Sequence, residues 1–283
     1  MPQMNPPFRP SEPVADRVEA LESVLRSLGE VAVAVSGGVD SLTLAVFAHR
    51  TLPGWASMFH AVSPAVPGEA TQRTRELGDA EGWHLSVIDA GEFNSTDYMS
   101  NPLNRCLHCK SNLYGAIRSH TAAQIVSGTN LNDLGEYRPG LIAAKEHSVR
   151  HPFVEAQIDK PGVRAIARHL GLGSVAELPS SPCLSSRIET GIAIDPVMLL
   201  RVHETERLVD RELKPRTVRC RVRSQGVVVE LDEASLARLS DERRESLAAR
   251  VHGLFERVGF DYVVSFAPYR VGSAFLHSRQ VAS

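Results

Sequence analysis

Residues 31 to 45, VAVAVSGGVDSLTLA, restrict the fold more than any other stretch of this chain. The small apolar run Val31 to Val35 fits a strand buried on both faces. Ser36-Gly37-Gly38 breaks it before apolar residues resume at helical spacing, with Leu42, Leu44, Ala45 and Phe47 forming an apolar side. A doubly buried strand turning directly into a helix opens a βαβ unit.

The neighbouring sequence continues the pattern. ADRVEALESVLRSLGE carries Val18, Leu21, Val24, Leu25 and Leu28 at helical spacing and stops at Gly29. ASMFHAVSPAV predicts a second strand, GEATQRTRELGDAEG a helix, HLSVIDA a third strand, CKSNLYGAIRSHTA a helix and AQIVSGTN a fourth strand. Such alternation predicts an α/β fold, an open parallel sheet with helices on both faces, whose ligands bind at the carboxyl ends of the strands. After ELPSSPCLSSRIETGIAIDP the alternation stops. The helix VMLLRVHETERLVDREL, strands TVRCRVRS and GVVVELD, helical stretches to Phe255 and a strand near FDYVVSF predict a smaller α+β domain. The expected organisation is an N-terminal arm over 1–16, the α/β domain over 17–195 and the small domain over 196–283.

Composition narrows the function. With 283 residues, 43% of them apolar, and a net charge of −2, the chain can bury a core and has no general attraction for nucleic acid or an anionic membrane. Its apolar runs fall well short of the roughly 20 residues a membrane helix needs. The proline-rich start MPQMNPPFRPSEPVADR has no apolar core, so it does not resemble a secretory signal and the expected location is the cytoplasm. Cysteines there stay reduced, so Cys106, Cys109, Cys183 and Cys220 are expected to bind metal, react or be buried as thiols.

A strand leading through Ser36-Gly37-Gly38 into a helix gathers backbone N–H groups and a helix N-terminus, which suits an anion. Both glycines can take positive φ and leave room for a phosphate. Ser36 and Ser41 offer hydroxyls, and Asp40 can hold magnesium or cap the helix start. The plain alternative is a tight turn with Asp40 or Ser41 as N-cap. Neither GxxxxGK[ST] nor GxGxxG is present.

NPLNRCLHCKSNLY sets Cys106 and Cys109 at CxxC spacing near a helix start, half of a zinc site, two ligands of an iron–sulfur cluster, a redox pair or two buried thiols. Cys183, in SSPCLSSRIETG with Ser186 and Arg187 close behind, is expected to be accessible and partly thiolate. Cys220, within TVRCRVR, is expected to face the core.

The string Ser36-Gly37-Gly38-Val39-Asp40-Ser41 resembles the PP-loop of the ATP pyrophosphatase, or adenine nucleotide α-hydrolase, superfamily, which implies that the turn holds the pyrophosphate of ATP. Together with NRCLHCK, SGTNLNDLGEYRPG, PCLSSRI and the late YRVGS, it resembles the LarE family of ATP-dependent sulfur transferases over nearly the whole chain. That resemblance implies adenylation of a pyridinium mononucleotide carboxylate, with magnesium, and attack by sulfur to leave a thiocarboxylate in nickel-pincer nucleotide synthesis. By position it implies Cys183 as sulfur donor, beside Ser186 and Arg187, and a nucleotide site including Ser63, Thr129, Asn130 and Asp133. Arg138 is a further residue facing either phosphate or solvent. It also implies substrate-phosphate binding by Arg219 and Arg221, whose face Arg223 continues, with Glu206 nearby. One family form carries a single cysteine and sacrifices its sulfur. The other holds a [4Fe–4S] cluster on three cysteines, the form that Cys106, Cys109 and Cys183 resemble. The alternatives are zinc completed by His108 or His120, or a non-ligating CxxC. The expected partners are a small nucleotide substrate and further copies of the chain, with no nucleic acid and no membrane. A tRNA thiolase and a non-catalytic ATP-binding or metal-binding regulator are the alternative functions.

Overall fold

The computed structural model describes residues 14–135 and 138–270. In chain order the elements are α1 (Val14–Leu28), β1 (Val31–Ala34), α2 (Val39–Thr51), β2 (Ala56–Ala61), α3 (Gly68–Glu81), β3 (His84–Ile88), α4 (Thr96–Met99), α5 (Arg105–His120) and β4 (Gln124–Ser127). There follow α6 (Pro139–Glu146), α7 (Pro152–Glu155), α8 (Lys160–His169), α9 (Gly173–Ala176), α10 (Pro196–Leu213), β5 (Val218–Arg223), β6 (Gly226–Leu231), α11 (Glu233–Ala237), α12 (Asp241–Glu256) and β7 (Val264–Pro268). Residues 1–13 of the expected arm lie outside the described residues, as do Glu136, Tyr137 and the end of YRVGS. No helix among the described residues is long and apolar enough to cross a membrane.

The chain forms two compact units. The first comprises the residues up to Ser63, Gly68–Glu92 and Cys106–Ser181. The second comprises Pro64–Pro67, Phe93–Arg105 and the residues from Pro182 onward.

The first unit is built on a parallel sheet of order β3-β2-β1-β4. Val31 stands opposite both Ala56 and Gln124, so β1 has a neighbour on each edge. Alternation sends Val31 and Val33 to one face, packed with α1, α2 and α8, and Ala32 and Ala34 to the other, packed with Tyr114 and Ile117 of α5 and Ala143 of α6. All four residues are buried, as the apolar run requires.

Two details differ from the sequence-based expectation. The second strand stops at Ala61 rather than running to Val66, since Pro64 has no N–H for a ladder. Helix α2 is buried nearly all round, with Val39 and every residue from Ser41 to Ala48 buried, so its apolar character is not confined to one side. Thr43 satisfies its hydroxyl on the carbonyl of Val39 at 2.6 Å.

The second unit contains a small sheet of order β5-β6-β7, with β5 antiparallel and β7 parallel to β6. Helix α10 starts at Pro196, and Asp195 caps it by accepting from the N–H groups of Val197 and Met198 at 2.7 and 3.1 Å. Cys220 is fully buried, as its place on the strand suggests, and burial pushes its thiol pKa well above the ordinary value, so it stays neutral.

Two histidines of the first unit, His60 buried and His151 half-buried, are held by hydrogen bonds. His60 donates from Nδ1 to the carbonyl of Val35 at 2.9 Å and accepts at Nε2 from Thr71 at 2.9 Å, while His151 bonds the hydroxyl of Ser127 at 2.9 Å. Burial holds the pKa of both below the ordinary 6.5. The unfolded chain therefore takes up more protons than the folded one below that value. Their contribution to stability is complete above pH 6.5 and is lost as the pH falls through the folded pKa values. The thermal unfolding midpoint is expected to be lower at pH 5 than at pH 7.5, with His60→Gln narrowing that gap; an unchanged gap in the variant would sink this account.

Candidate functional site

The turn after β1 is held from beneath. Val35 donates to the carbonyl of Phe59 at 2.8 Å, and its own carbonyl is the one that receives His60. Gly37 has φ +78, and a Cβ there would lie 2.6 Å from the carbonyl oxygen of Ala70 on α3. Gly38 differs from expectation. It has φ −88 as the N-cap of α2, and a Cβ there would meet only the Ser36 hydroxyl, at 3.6 Å. Positive φ is thus needed at one glycine of the pair. A glycine N-cap carries no side-chain acceptor, so the first-turn N–H groups of α2 are left to solvent or to an anion.

Ser41 is buried and spends its hydroxyl inside the turn, accepting from the Ser36 N–H at 3.0 Å and lying 3.1 Å from both the Gly38 carbonyl and the Ser36 hydroxyl. Ser36 is exposed, Val39 is buried and Asp40 is half-buried. Arg73 on α3 donates to the Gly37 carbonyl at 2.6 Å and fixes the turn from outside.

The exit of β4 comes against this turn because β4 neighbours β1. A Cβ on Gly128 would lie 2.8 Å from the Asp40 carbonyl carbon and from the Ser41 nitrogen, so only glycine fits there. Beyond it, Asn130 is buried and donates from Nδ2 to Asp40 Oδ1 at 3.2 Å, while its N–H donates to Asp133 Oδ2 at 3.0 Å. Asp133 also pairs with Arg138 at 3.0 Å, and Thr129 lies 3.1 Å from the Ser127 hydroxyl. Ser63 is half-buried just beyond the carboxyl end of β2.

Lys160, at the start of α8, donates to Asp40 Oδ2 at 2.5 Å and, through its backbone N–H, to Asn132 at 2.7 Å. Sequence reasoning does not single it out. The available signal is its rarity, one of four lysines beside 27 arginines, in an Asp-Lys-Pro helix start. Asp40, Asn130, Asp133 and Lys160 thus make one polar cluster at the carboxyl end of the sheet, and the oxygen ligands of Asp40 suit a hard cation such as magnesium.

In the second unit, Cys183 is exposed while Leu184 and Ser185 after it are buried. Arg187 is buried and donates to the carbonyls of Pro182 at 2.8 Å and Cys183 at 3.3 Å, and to the Ser186 hydroxyl at 3.0 Å. Its remaining edge pairs with both oxygens of Glu206, at 2.9 and 3.1 Å. Glu206 also accepts from the Cys220 N–H at 2.9 Å. A guanidinium spread over that many acceptors locks the backbone around Cys183.

Arg221 is buried, bonding Glu230 at 3.0 Å and the Ser186 carbonyl at 2.8 Å, and Arg223 shares Glu230 at 3.0 Å. Arg219 lies over the Tyr269 ring at 5.7 Å, and burial with the nearby Arg187 charge holds its pKa below the ordinary value.

Cys106 and Cys109 occupy the first turns of α5, three residues apart on one helix side, and both are half-buried. Among the described residues, no three His, Cys, Asp or Glu side chains gather as a metal-binding group. Within the first unit, a zinc set of Cys106 and Cys109 completed by His108 or His120 is therefore not assembled. A cavity of about 600 Å³ lies at the amino ends of the strands, lined by Glu30, Trp55, His84 and His120, and of the candidate residues it includes only His120.

An open parallel sheet with Ser-Gly-Gly-Val-Asp-Ser at the carboxyl end of β1 defines a protein of the PP-loop α/β class. No family model matches the chain. It is 34% identical to the uncharacterized protein slr1717 of Synechocystis sp., over 87% of this chain and 92% of that one. It is 28% identical to the pyridinium-3,5-bisthiocarboxylic acid mononucleotide synthase of Lactiplantibacillus plantarum, over 88% of this chain and 90% of that one. It is also 26% identical to a subunit of the glutamine-hydrolyzing GMP synthase of Methanopyrus kandleri, over 69% and 68% of the two chains. The chain belongs to the LarE family of PP-loop proteins.

Gly37→Ala is expected to destabilise the fold by about 1–2 kcal/mol through the positive φ alone, with more from the collision at Ala70, and to abolish ATP binding. Thermal unfolding and calorimetric titration with ATP check both; undiminished ATP affinity would remove this turn from the nucleotide site.

Proposed function

We propose that this protein is an ATP-dependent sulfur transferase that activates a carboxylate of a pyridinium mononucleotide, the 3,5-biscarboxylic acid, and converts it to a thiocarboxylate in nickel-pincer nucleotide synthesis. The observation that carries this reading is an exposed cysteine held by a buried arginine, Cys183 over Arg187, in a chain related along most of its length to the Lactiplantibacillus plantarum synthase.

In this reading the turn from Ser36 to Ser41, including Gly37, Gly38 and Val39, cradles the phosphates of ATP, with Ser63, Thr129, Asn130 and Asp133 completing the nucleotide site. The Asp40 carboxylate would hold magnesium, which would offset phosphate charge. Lys160 balances the Asp40 carboxylate in this structure. A substrate carboxylate oxygen attacks the α-phosphorus of ATP, the bond to pyrophosphate breaks, and an acyl adenylate forms. In the sacrificial route, the alternative to the cluster route below, the Cys183 thiolate attacks the acyl carbon and AMP leaves with the electron pair of the broken C–O bond. Cleavage of the Cβ–Sγ bond, with loss of the α-proton, leaves a thiocarboxylate and dehydroalanine.

Arg187 and Ser186 keep the Cys183 backbone in place, while Arg219 and Arg221, with Glu206 behind them, form the region that receives the substrate phosphate. The second unit is the substrate-binding and oligomerisation domain of a homo-oligomer, and the use of ATP and a small nucleotide suits the cytoplasm. Cys106 and Cys109 are proposed as further ligands, with Cys183, of a [4Fe–4S] cluster. Three thiolates would satisfy three of its irons, and the fourth would supply a place for a sulfide that is transferred in place of the Cys183 sulfur.

Cys183→Ala is expected to abolish thiocarboxylate formation while pyrophosphate release continues; transfer surviving in that variant would overturn the donor assignment. About four irons per chain in anaerobically purified protein, lost in Cys106→Ala, are the outcome expected of the cluster. Iron-free protein whose chain loses the mass of one hydrogen sulfide on turnover would replace it with the sacrificial route.

A further inference from the structure

The string NPLNR, residues 101 to 105, precedes the paired cysteines and has no part in the mechanism above. In the second unit it packs against the chain that follows Cys183. Asn101 is fully buried at φ 55, a left-handed conformation that asparagine tolerates better than most residues. Its Nδ2 donates to the carbonyls of Glu189 at 2.8 Å and Ile192 at 2.9 Å, with the Ile188 carbonyl at 3.4 Å. Its Oδ1 accepts from the buried Arg105 at 2.6 Å, and its own carbonyl accepts from Gly191 at 3.0 Å.

One helical turn earlier, the Tyr98 hydroxyl lies 2.6 Å from the Ser185 hydroxyl, both side chains being buried. The Met99 carbonyl accepts from Ile194 at 2.8 Å. From Ser185 to Ile194 the sulfur loop is therefore bonded repeatedly to residues 98–101. On the other side of Cys183, Ser181 and Pro182 are exposed, and the Pro182 carbonyl accepts from Arg187 at 2.8 Å. The chain that follows the sulfur is thus tied to residues 98–101 through Ser185 and the turn at Ile188–Ile192.

We propose that Tyr98 and Asn101 are positioning residues for Cys183, holding the loop that presents its sulfur without touching substrate themselves. This rests on Cys183 as the sulfur donor. Attack on an acyl carbon is sensitive to placement, and a displacement of about 1 Å can cost on the order of 100-fold in rate. Loosening the loop should therefore slow transfer while leaving adenylation alone, because adenylation does not use this loop.

Tyr98→Phe removes one hydroxyl and keeps the ring packed edge-on against Phe93. In this variant thiocarboxylate formation is expected to fall about 10-fold or more at saturating ATP and carboxylate, with pyrophosphate release unchanged. The rate of Cys183 alkylation by iodoacetamide, followed by mass spectrometry of the intact chain, should change several-fold. Ser185→Ala should give the same loss, and the double variant no more than either single one. Asn101→Ser should show a larger effect on both readouts if it folds. Unaltered transfer with Tyr98→Phe, or equal losses in transfer and pyrophosphate release, would overturn the proposal. If Cys183→Ala retains transfer, the donor assignment fails instead, and alkylation of Cys183 still reports whether Tyr98 sets the loop.

Discussion

The carboxyl end of the sheet in the first unit depends on how closely the exit of β4 approaches the first turn of α2. No side chain fits at Gly128, because a Cβ would stand 2.8 Å from the backbone of Asp40 and Ser41. That contact exists because β1 and β4 pair in register from Val31 with Gln124 to Ala34 with Ser127, so both strands end level. The loop after β4 then has to run beside the turn after β1, and Asn130 meets Asp40. Lys160 arrives by a different route, at the start of α8, whose N-cap Asp159 accepts from Gly162 and sets where the helix begins. A half-buried carboxylate flanked by one amide and one ammonium is balanced without a ligand and is easily re-partnered by a cation.

The second unit solves a different problem, which is to leave the Cys183 sulfur exposed on a loop whose backbone is tied from behind. Its solution is a buried ion pair. Removing Glu206 would strand the Arg187 guanidinium at a cost of about 3–5 kcal/mol, because Arg187 is only 2% exposed. The pair is better understood as a device for geometry than as a source of stability, since two charges lose hydration to form it. Its return is that the carbonyls of Pro182 and Cys183 have a common donor. Arg221 adds the Ser186 carbonyl, so two of the arginines alternating along β5, Arg221 and Arg223, are held on Glu230, and Arg221 also ties down the sulfur loop.

Much of the first unit was legible in the sequence because its signals are local. A doubly buried strand has to look like Val31 to Val35, and a helix without polar relief from Ser41 to Ala48 has to be buried. The conformations of the paired glycines were not legible. Gly-Gly is compatible with positive φ at either or both, and the choice of Gly37 comes from the approach of Ala70 on α3. The inward role of Glu206 was hidden in the same way. A glutamate on an amphipathic helix reads as surface until a strand places the Cys220 N–H beside it.

By itself, the sequence determined the alternation of strands and helices, the position of the phosphate-type turn, the burial of Cys220 and the accessibility of Cys183. Each follows from apolar spacing or turn chemistry within about ten residues. Only the tertiary structure decided that Lys160 would sit on Asp40, that Arg187 would bind backbone rather than reach outward, and that Asn101 would brace a turn almost ninety residues later. The reason is physical: a charged or amide side chain has several possible partners of similar strength, and which one it keeps depends on what burial removes from water around it.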